Sequence, residues 1–171
     1  MSYVAAHYDH HFEGEWQRLQ RHRTEFAVTL RALENYLPPP PAAILDIGGG
    51  PGRYAIELSR RGYEVTLLDI SEGNLAHAAA KATENNVPLA HIILGDATNL
   101  PQRPRSAYDA VLLMGPLYHL LSLAERQQAV SEAARILRPN APIFAAFVTR
   151  FAVLRDMAIN NPQEIVTDPQ R

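Results

Sequence analysis

The chain has 171 residues, enough for one domain with a sizeable core, and a formal charge of −2 gives no electrostatic case for nucleic acid or an anionic membrane as partner. It contains no cysteine, which excludes disulfides and thiolate zinc sites. No apolar stretch approaches the ~20 residues that cross a bilayer, and the N-terminus lacks the basic and apolar regions of a secretory signal, so the expected compartment is the cytoplasm.

His7, His10 and His11 cluster beside Asp9 near the N-terminus. They have no fixed helix register and no carboxylate partner elsewhere, so no metal site is assigned to them. Phe12, Trp16, Leu19, Phe26, Leu30, Leu33 and Leu37 then recur at spacings that line one face of a long amphipathic helix, with Arg23 at one stripe position. Arg18, Arg21, His22 and Arg23 read as its solvated face. The run Pro38–Pro41 stops the helix, because proline offers no amide donor and disfavours helix in the residue before it.

Beyond the prolines, short apolar runs alternate with helical patterns. Strands are predicted at 42–47, 63–69, 89–95, 108–114 and 142–149, and helices at about 53–61, 71–85 and 123–137. Gly62 sits where a left-handed residue ends a helix, and Ser122 with Glu125 forms a capping-box pattern. Near-continuous hydrophobic strands joined by helices predict an α/β fold: a doubly wound, mostly parallel sheet of about five strands, covered on both faces. A ligand in such a sheet lies beyond the carboxyl ends of the strands, near the point where strand order reverses. Residues 151–160 carry a further helical pattern with Phe151, Leu154 and Met157 on one side, and the polar tail 161–171 reads as loose. The organisation is therefore an N-terminal helical segment (1–41), a ligand-binding domain (42–149) and a C-terminal helix with tail (150–171).

The most informative stretch is 44–52, Ile-Leu-Asp-Ile-Gly-Gly-Gly-Pro-Gly. Asp46 ends an apolar run, and Gly48, Gly50 and Gly52 follow at alternate positions. A strand turning sharply into a helix with a ligand against its backbone needs residues that accept positive φ and carry no side chain. The dinucleotide fingerprint G-x-G-x-x-G, started at Gly48, requires glycine where Arg53 stands. A carboxylate within the turn repels a pyrophosphate and attracts a cationic amino group. That favours an adenosyl cofactor without phosphates over NAD.

Three later runs close on comparable elements: Asp69-Ile70, Gly95-Asp96-Ala97, and Met114-Gly-Pro-Leu-Tyr-His-Leu120. In this order, over roughly residues 42–149, they resemble the class I S-adenosylmethionine-dependent methyltransferases of the small-molecule type. The resemblance implies a Rossmann-like fold, S-adenosyl-L-methionine as cofactor and a small-molecule acceptor. Asp46 would engage the cofactor's ammonium end through water, with Gly48 and Gly50 letting the backbone approach. The helix start after Gly52 would favour its carboxylate, with Arg53 assisting. Asp69 would accept two hydrogen bonds from the ribose hydroxyls, as it would in an NAD site; read locally it is a helix cap ahead of Ser71. Ile70 is similar to the family's adenine-packing residue and reads equally as core. Asp96 would accept from the adenine amino group, and the Ala97 amide would meet a ring nitrogen.

The segment from Met114 to His119 lies where the methyl would be presented. Methyl transfer is an in-line displacement that needs alignment and exclusion of water. It needs a base only where the nucleophile must lose a proton. His119 is the candidate base and Tyr118 a candidate to orient the acceptor, against the local reading of a satisfied histidine and a packed tyrosine. Tyr8 is a candidate lid contact.

The chain departs from the family after residue 150, where nothing reads as the two further strands that complete the sheet, so it reads as shortened. Asn140 replaces the glycine expected before the fifth strand, a mild change because asparagine tolerates left-handed geometry. The fifth strand (Ile143 to Val148) would then present an apolar edge. Either helix 151–160 folds over it or the chain pairs there as a homodimer. Three functions follow: methyl transfer to a small molecule, cofactor binding or assembly without turnover, and, third, NAD-dependent oxidoreduction. Nucleic-acid methylation is disfavoured, since no Asn-Pro-Pro-Tyr-type motif stands at 114–119.

Overall fold

The computed structural model describes residues 16–17, 23–102, 106–149 and 151–163. His7, Tyr8, Asp9, His10, His11, Phe12, Arg18, Leu19, Arg21, His22 and the tail from 164 lie outside the described residues.

Five strands, β1 (Ala43–Ile47), β2 (Glu64–Asp69), β3 (His91–Leu94), β4 (Ala110–Leu113) and β5 (Ile143–Ala145), pair in parallel in the order β3-β2-β1-β4-β5. Helices α1 (Arg23–Tyr36), α2 (Arg53–Arg60), α3 (Glu72–Glu84), α4 (Pro116–His119), α5 (Leu123–Ile136) and α6 (Ala152–Asn160) complete the element order. The chain winds outward from β1 to β3, then crosses to β4 and on to β5. Strand order therefore reverses between β1 and β4, and the loops after those two strands border the reversal.

Alternation along each strand sorts the core into two layers. Leu45, Ile47, Leu68, Val111 and Leu113 pack with Ala129, Ala133 and Ile136 of α5 on one face. Ile44, Val65, Leu67 and Leu112 pack with Leu30 and Leu33 of α1, Ala55 and Leu58 of α2 and Ala78 of α3 on the other. Asp46 and Asp69 follow Ile44 and Leu67 at the same period of two. Both carboxyls are thus delivered to the α2/α3 side, at the carboxyl end of the sheet.

The capping chemistry follows the sequence. Gly62 has φ +91 and Asn140 φ +64, both left-handed, and Ser122 and Glu125 form the reciprocal capping box that starts α5. In α1, Leu30 and Leu33 are buried and Phe26 and Leu37 pack partly against the core. Arg61 pairs with Glu34 of α1 and with Glu57 at 2.9 Å, tying α1 to α2.

Four expectations change. The fifth strand ends at Ala145 instead of 149, because its partner β4 ends at Leu113 and leaves no further ladder to join. Residues 116–119 form the short helix α4, which the hydrophobic pattern did not announce. Only β1, β2 and β4 are covered on both faces; in the edge strand β3, Ile92 and Leu94 remain 38% and 52% exposed. Nor does α6 bury the face beyond β5, since Phe147, Val148, Phe151 and Leu154 all stay exposed.

Candidate functional site

The glycine loop after β1 is built by contacts that exclude side chains. Gly48, Gly50 and Gly52 have φ of +66, +57 and +79, which an L side chain adopts only with strain. A Cβ on Gly48 would stand 2.7 Å from the ring of Pro116, and one on Gly115 2.7 Å from the Gly48 carbonyl oxygen, so the loops after β1 and β4 lie directly against each other. On Gly49 a Cβ would meet the Asp46 carboxylate at 2.4 Å. Gly50 differs: a Cβ there would face open space, with only the Asn74 amide within 4 Å, at 3.9 Å. The loop is packed from below and open at Gly50.

Beneath it lie three buried polar side chains. Asp46 is 2% exposed, Asp69 5% and Asn74 2%. Asp69 Oδ2 accepts from the Gly50 amide at 2.8 Å. Its Oδ1 accepts from the Ser71 amide at 2.9 Å and from Asn74 Nδ2 at 3.3 Å. Ser71 in turn caps α3 by accepting from the Asn74 amide. Two acceptors stay unpaired, Asp46 Oδ2 and Asn74 Oδ1. Burial pushes the Asp46 carboxyl up to about 7, and the neighbouring Asp69 charge adds to the effect. Asp69 is raised as well, mainly by burial, against the lowering effect of hydrogen bonds from Ser71, Gly50, Asn74 and Ile70. Two carboxyls share one dry position, and no ion pair compensates them among the described residues.

The remaining predicted residues occupy the same end of the sheet. Ile70 is half-buried at the end of β2. Asp96 is exposed, and its Oδ1 is taken by the amide and hydroxyl of Thr98, each at 2.8 Å. Ala97 is buried in the α5-side core, and Met114 packs partly into the other layer. Tyr118 and His119 ride on α4 with ring centroids 4.7 Å apart, the tyrosine exposed and the histidine half-buried.

Two of the predicted residues already have partners within the chain. Arg53 starts α2, but its guanidinium is held between the rings of Trp16 and Phe26, 4.7 and 4.8 Å from their centroids, and its Nε is buried without a partner. Asp69 is held by Ser71 and Asn74 at Oδ1 and by Gly50 at Oδ2. Sequence reasoning missed Asn74, although the signal was present: it takes a stripe position with Ala78 and Ala82, where a polar residue demands a reason. Among the described residues, no group of three His, Asp or Glu side chains is placed to hold a metal ion.

An unpaired buried carboxyl beside a second one, under a loop open at Gly50, fits a ligand that brings positive charge and hydroxyl groups, as an aminoacyl nucleoside does. A parallel sheet of this order with an acidic glycine loop at its reversal point defines a Rossmann-like domain of the class I methyltransferase type.

The chain belongs to the methyltransferase-domain family, whose model matches residues 44–140. It is 30% identical over 107 residues to the ubiquinone biosynthesis O-methyltransferase of Caulobacter vibrioides, covering 63% of this chain and 41% of that protein. It is 26% identical over 141 residues to an S-adenosyl-L-methionine-dependent Diels–Alderase of Talaromyces variabilis, covering 78% and 46%. A solved S-adenosylmethionine-dependent methyltransferase from Methanosarcina mazei superposes with a TM-score of 0.63 at 26% identity, covering 75% of this chain and 66% of that one. The chain thus spans about two-fifths of the length of the curated relatives it matches.

Proposed function

We propose that this chain binds S-adenosyl-L-methionine and transfers its methyl group to a small-molecule acceptor, with a hydroxyl as the nucleophile. One observation carries the reading: two buried carboxyls, Asp46 and Asp69, lie without a cationic partner among the described residues, beneath a positive-φ glycine loop that is open at Gly50. The hydroxyl rests on likeness to the O-methyltransferase of Caulobacter vibrioides.

When bound, the cofactor supplies an electrophilic methyl on a sulfonium. The protein's part is binding, orientation and proton handling. Asp46 attracts the ligand's ammonium group electrostatically, and Asp69 accepts from its ribose. The packed contact of Gly48 with Pro116 fixes α4 relative to the cofactor loop. His119, half-buried on α4, takes the acceptor's proton, and Tyr118 walls or orients the acceptor. A second copy of the chain pairs at the exposed β5 edge.

Calorimetric titration with S-adenosylmethionine, S-adenosylhomocysteine and NAD is the first test. One-to-one binding of the first two, absent for NAD and lost in Asp69→Ala, is expected. A folded protein that binds neither adenosyl ligand refutes the reading. A second reading, cofactor binding without methyl transfer, is favoured by the Diels–Alderase relative, which covers more of this chain than the O-methyltransferase does. Binding with no labelled methyl transfer across a panel of phenols, alcohols and amines would select it.

A further inference from the structure

The loop after β3 is tied at both ends by groups outside it. At its start the Gly95 amide donates to the backbone carbonyl of Asp69, the last residue of β2, at 2.9 Å. At its end the Leu100 amide donates to Glu132 Oε2 on α5, 32 positions further along the chain, at 3.2 Å. Between these anchors the chain closes a tight turn. Asn99 N donates to the Asp96 carbonyl at 3.1 Å, and Thr98 gives its amide and its hydroxyl to Asp96 Oδ1, each at 2.8 Å. The other oxygen of this exposed carboxylate, Oδ2, accepts from no group among the described residues.

Glu132 is itself held. Arg135 donates to both its oxygens, from Nε at 2.9 Å and from Nη2 at 2.7 Å. These bonds keep its carboxyl below the ordinary value, so it is an anionic acceptor at neutral pH. Ala97 and Leu100 are buried in the α5-side core, but apolar burial is non-directional and does not by itself fix the rotation of the turn. The bond from Leu100 to Glu132 is directional. Sheet order then says what the turn faces. A ribose at Asp69 has the glycine loop on its β1 side and this turn on its β3 side. With the ligand's ammonium end drawn to Asp46 on β1, its base lies toward residues 95–99.

We propose that Glu132 is a positioning residue for the nucleoside's base: by holding the Leu100 amide it fixes the turn that presents Asp96 Oδ2 as an acceptor, and so sets the preference for a base that carries an amino group. The inference rests on the adenosyl-cofactor reading and deepens it. A base with a carbonyl oxygen in place of the amino group brings no donor and faces a carboxylate, so it binds less well.

The test is calorimetric binding of S-adenosylhomocysteine and S-inosylhomocysteine, which differ at that amino group, to the 171-residue protein, to Glu132→Ala and to Glu132→Gln. Alanine is the best helix former, so α5 persists in the first variant. Glutamine keeps an acceptor oxygen for the Leu100 amide. The wild type is expected to prefer the adenosyl form by about tenfold or more, the scale of a hydrogen bond to a charged group. In Glu132→Ala that preference falls to within about threefold, through weaker binding of the adenosyl form, and Glu132→Gln restores most of it. A preference unchanged in Glu132→Ala overturns the proposal, because a loss common to both ligands is the signature of a merely structural tie. A glutamine variant no better than alanine overturns it as well. A wild type that does not discriminate between the two ligands overturns it with no variant needed. Failure of the wild type to bind S-adenosylhomocysteine refutes the cofactor reading itself, and this inference with it.

Discussion

Replacing Asp46 with asparagine removes an ionisable group from a buried position under the glycine loop, and the effect on stability depends on pH. The carboxyl is 2% exposed and is pushed up from 3.8 to about 7, by burial first and by Asp69 second. In the unfolded chain the group keeps its ordinary value, so between 3.8 and about 7 the folded protein holds a proton that the unfolded chain has released. The stabilisation is complete below 3.8 and is lost as pH rises through about 7. At ~1.4 kcal/mol per pH unit the loss totals on the order of 4 kcal/mol. Asparagine does not titrate. The stability of Asp46→Asn relative to wild type therefore grows by ~1.4 kcal/mol per pH unit between about pH 5 and about pH 7, then levels. Urea unfolding followed by circular dichroism across this range measures the difference directly. A difference that stays flat from about pH 5 to about pH 8 refutes the argument that Asp46 is a buried, unpaired acid.

Five other outcomes follow from the same geometry. Gly49→Ala drives a methyl into the Asp46 carboxylate and Leu67, at 2.4 and 2.6 Å, and is expected to destabilise by ~1–3 kcal/mol in thermal or urea unfolding; Gly50→Ala meets open space, so it costs only the ~1–2 kcal/mol of its left-handed backbone while adenosyl-ligand affinity falls further. Arg53→Met removes the cation held between Trp16 and Phe26; since the chain has 1 tryptophan, a red shift of its emission reports release of that contact, and an unchanged spectrum rejects it. His119→Gln lowers methyl transfer to a hydroxyl acceptor by ~10²–10⁴ with cofactor affinity unchanged, and an unaltered rate removes His119 as the base. Wild-type protein runs as a dimer in light scattering and Phe147→Lys as a monomer, because Phe147 is 70% exposed beside the β5 edge; a wild-type monomer at high concentration rejects the pairing.

The features legible in the sequence were those whose cause is local. Turns need glycine or asparagine at positive φ, so Gly48, Gly50, Gly52, Gly62 and Asn140 were readable one residue at a time. Apolar runs of strand length alternating with helical stripes specify a parallel doubly wound sheet, and a period of two places Asp46 with Ile44, and Asp69 with Leu67, on one side. The Ser122–Glu125 box is likewise a property of four consecutive residues.

What only the tertiary structure decided is which of these groups meet. Asp69 reaches back to Gly50 and across to Asn74 because β2 pairs beside β1 and α3 packs against β2, and no spacing rule encodes that contact. Arg53 stands at a helix start, where the local field favours an anion, yet two aromatic rings brought in from the N-terminal segment claim its charge. The fifth strand was long enough in hydrophobicity to run to 149 and stops at Ala145, because a strand lasts only as long as its neighbour offers backbone partners. Local conformation is written residue by residue. Burial, and with it the raised proton affinity of Asp46, exists only once distant segments have closed over the site.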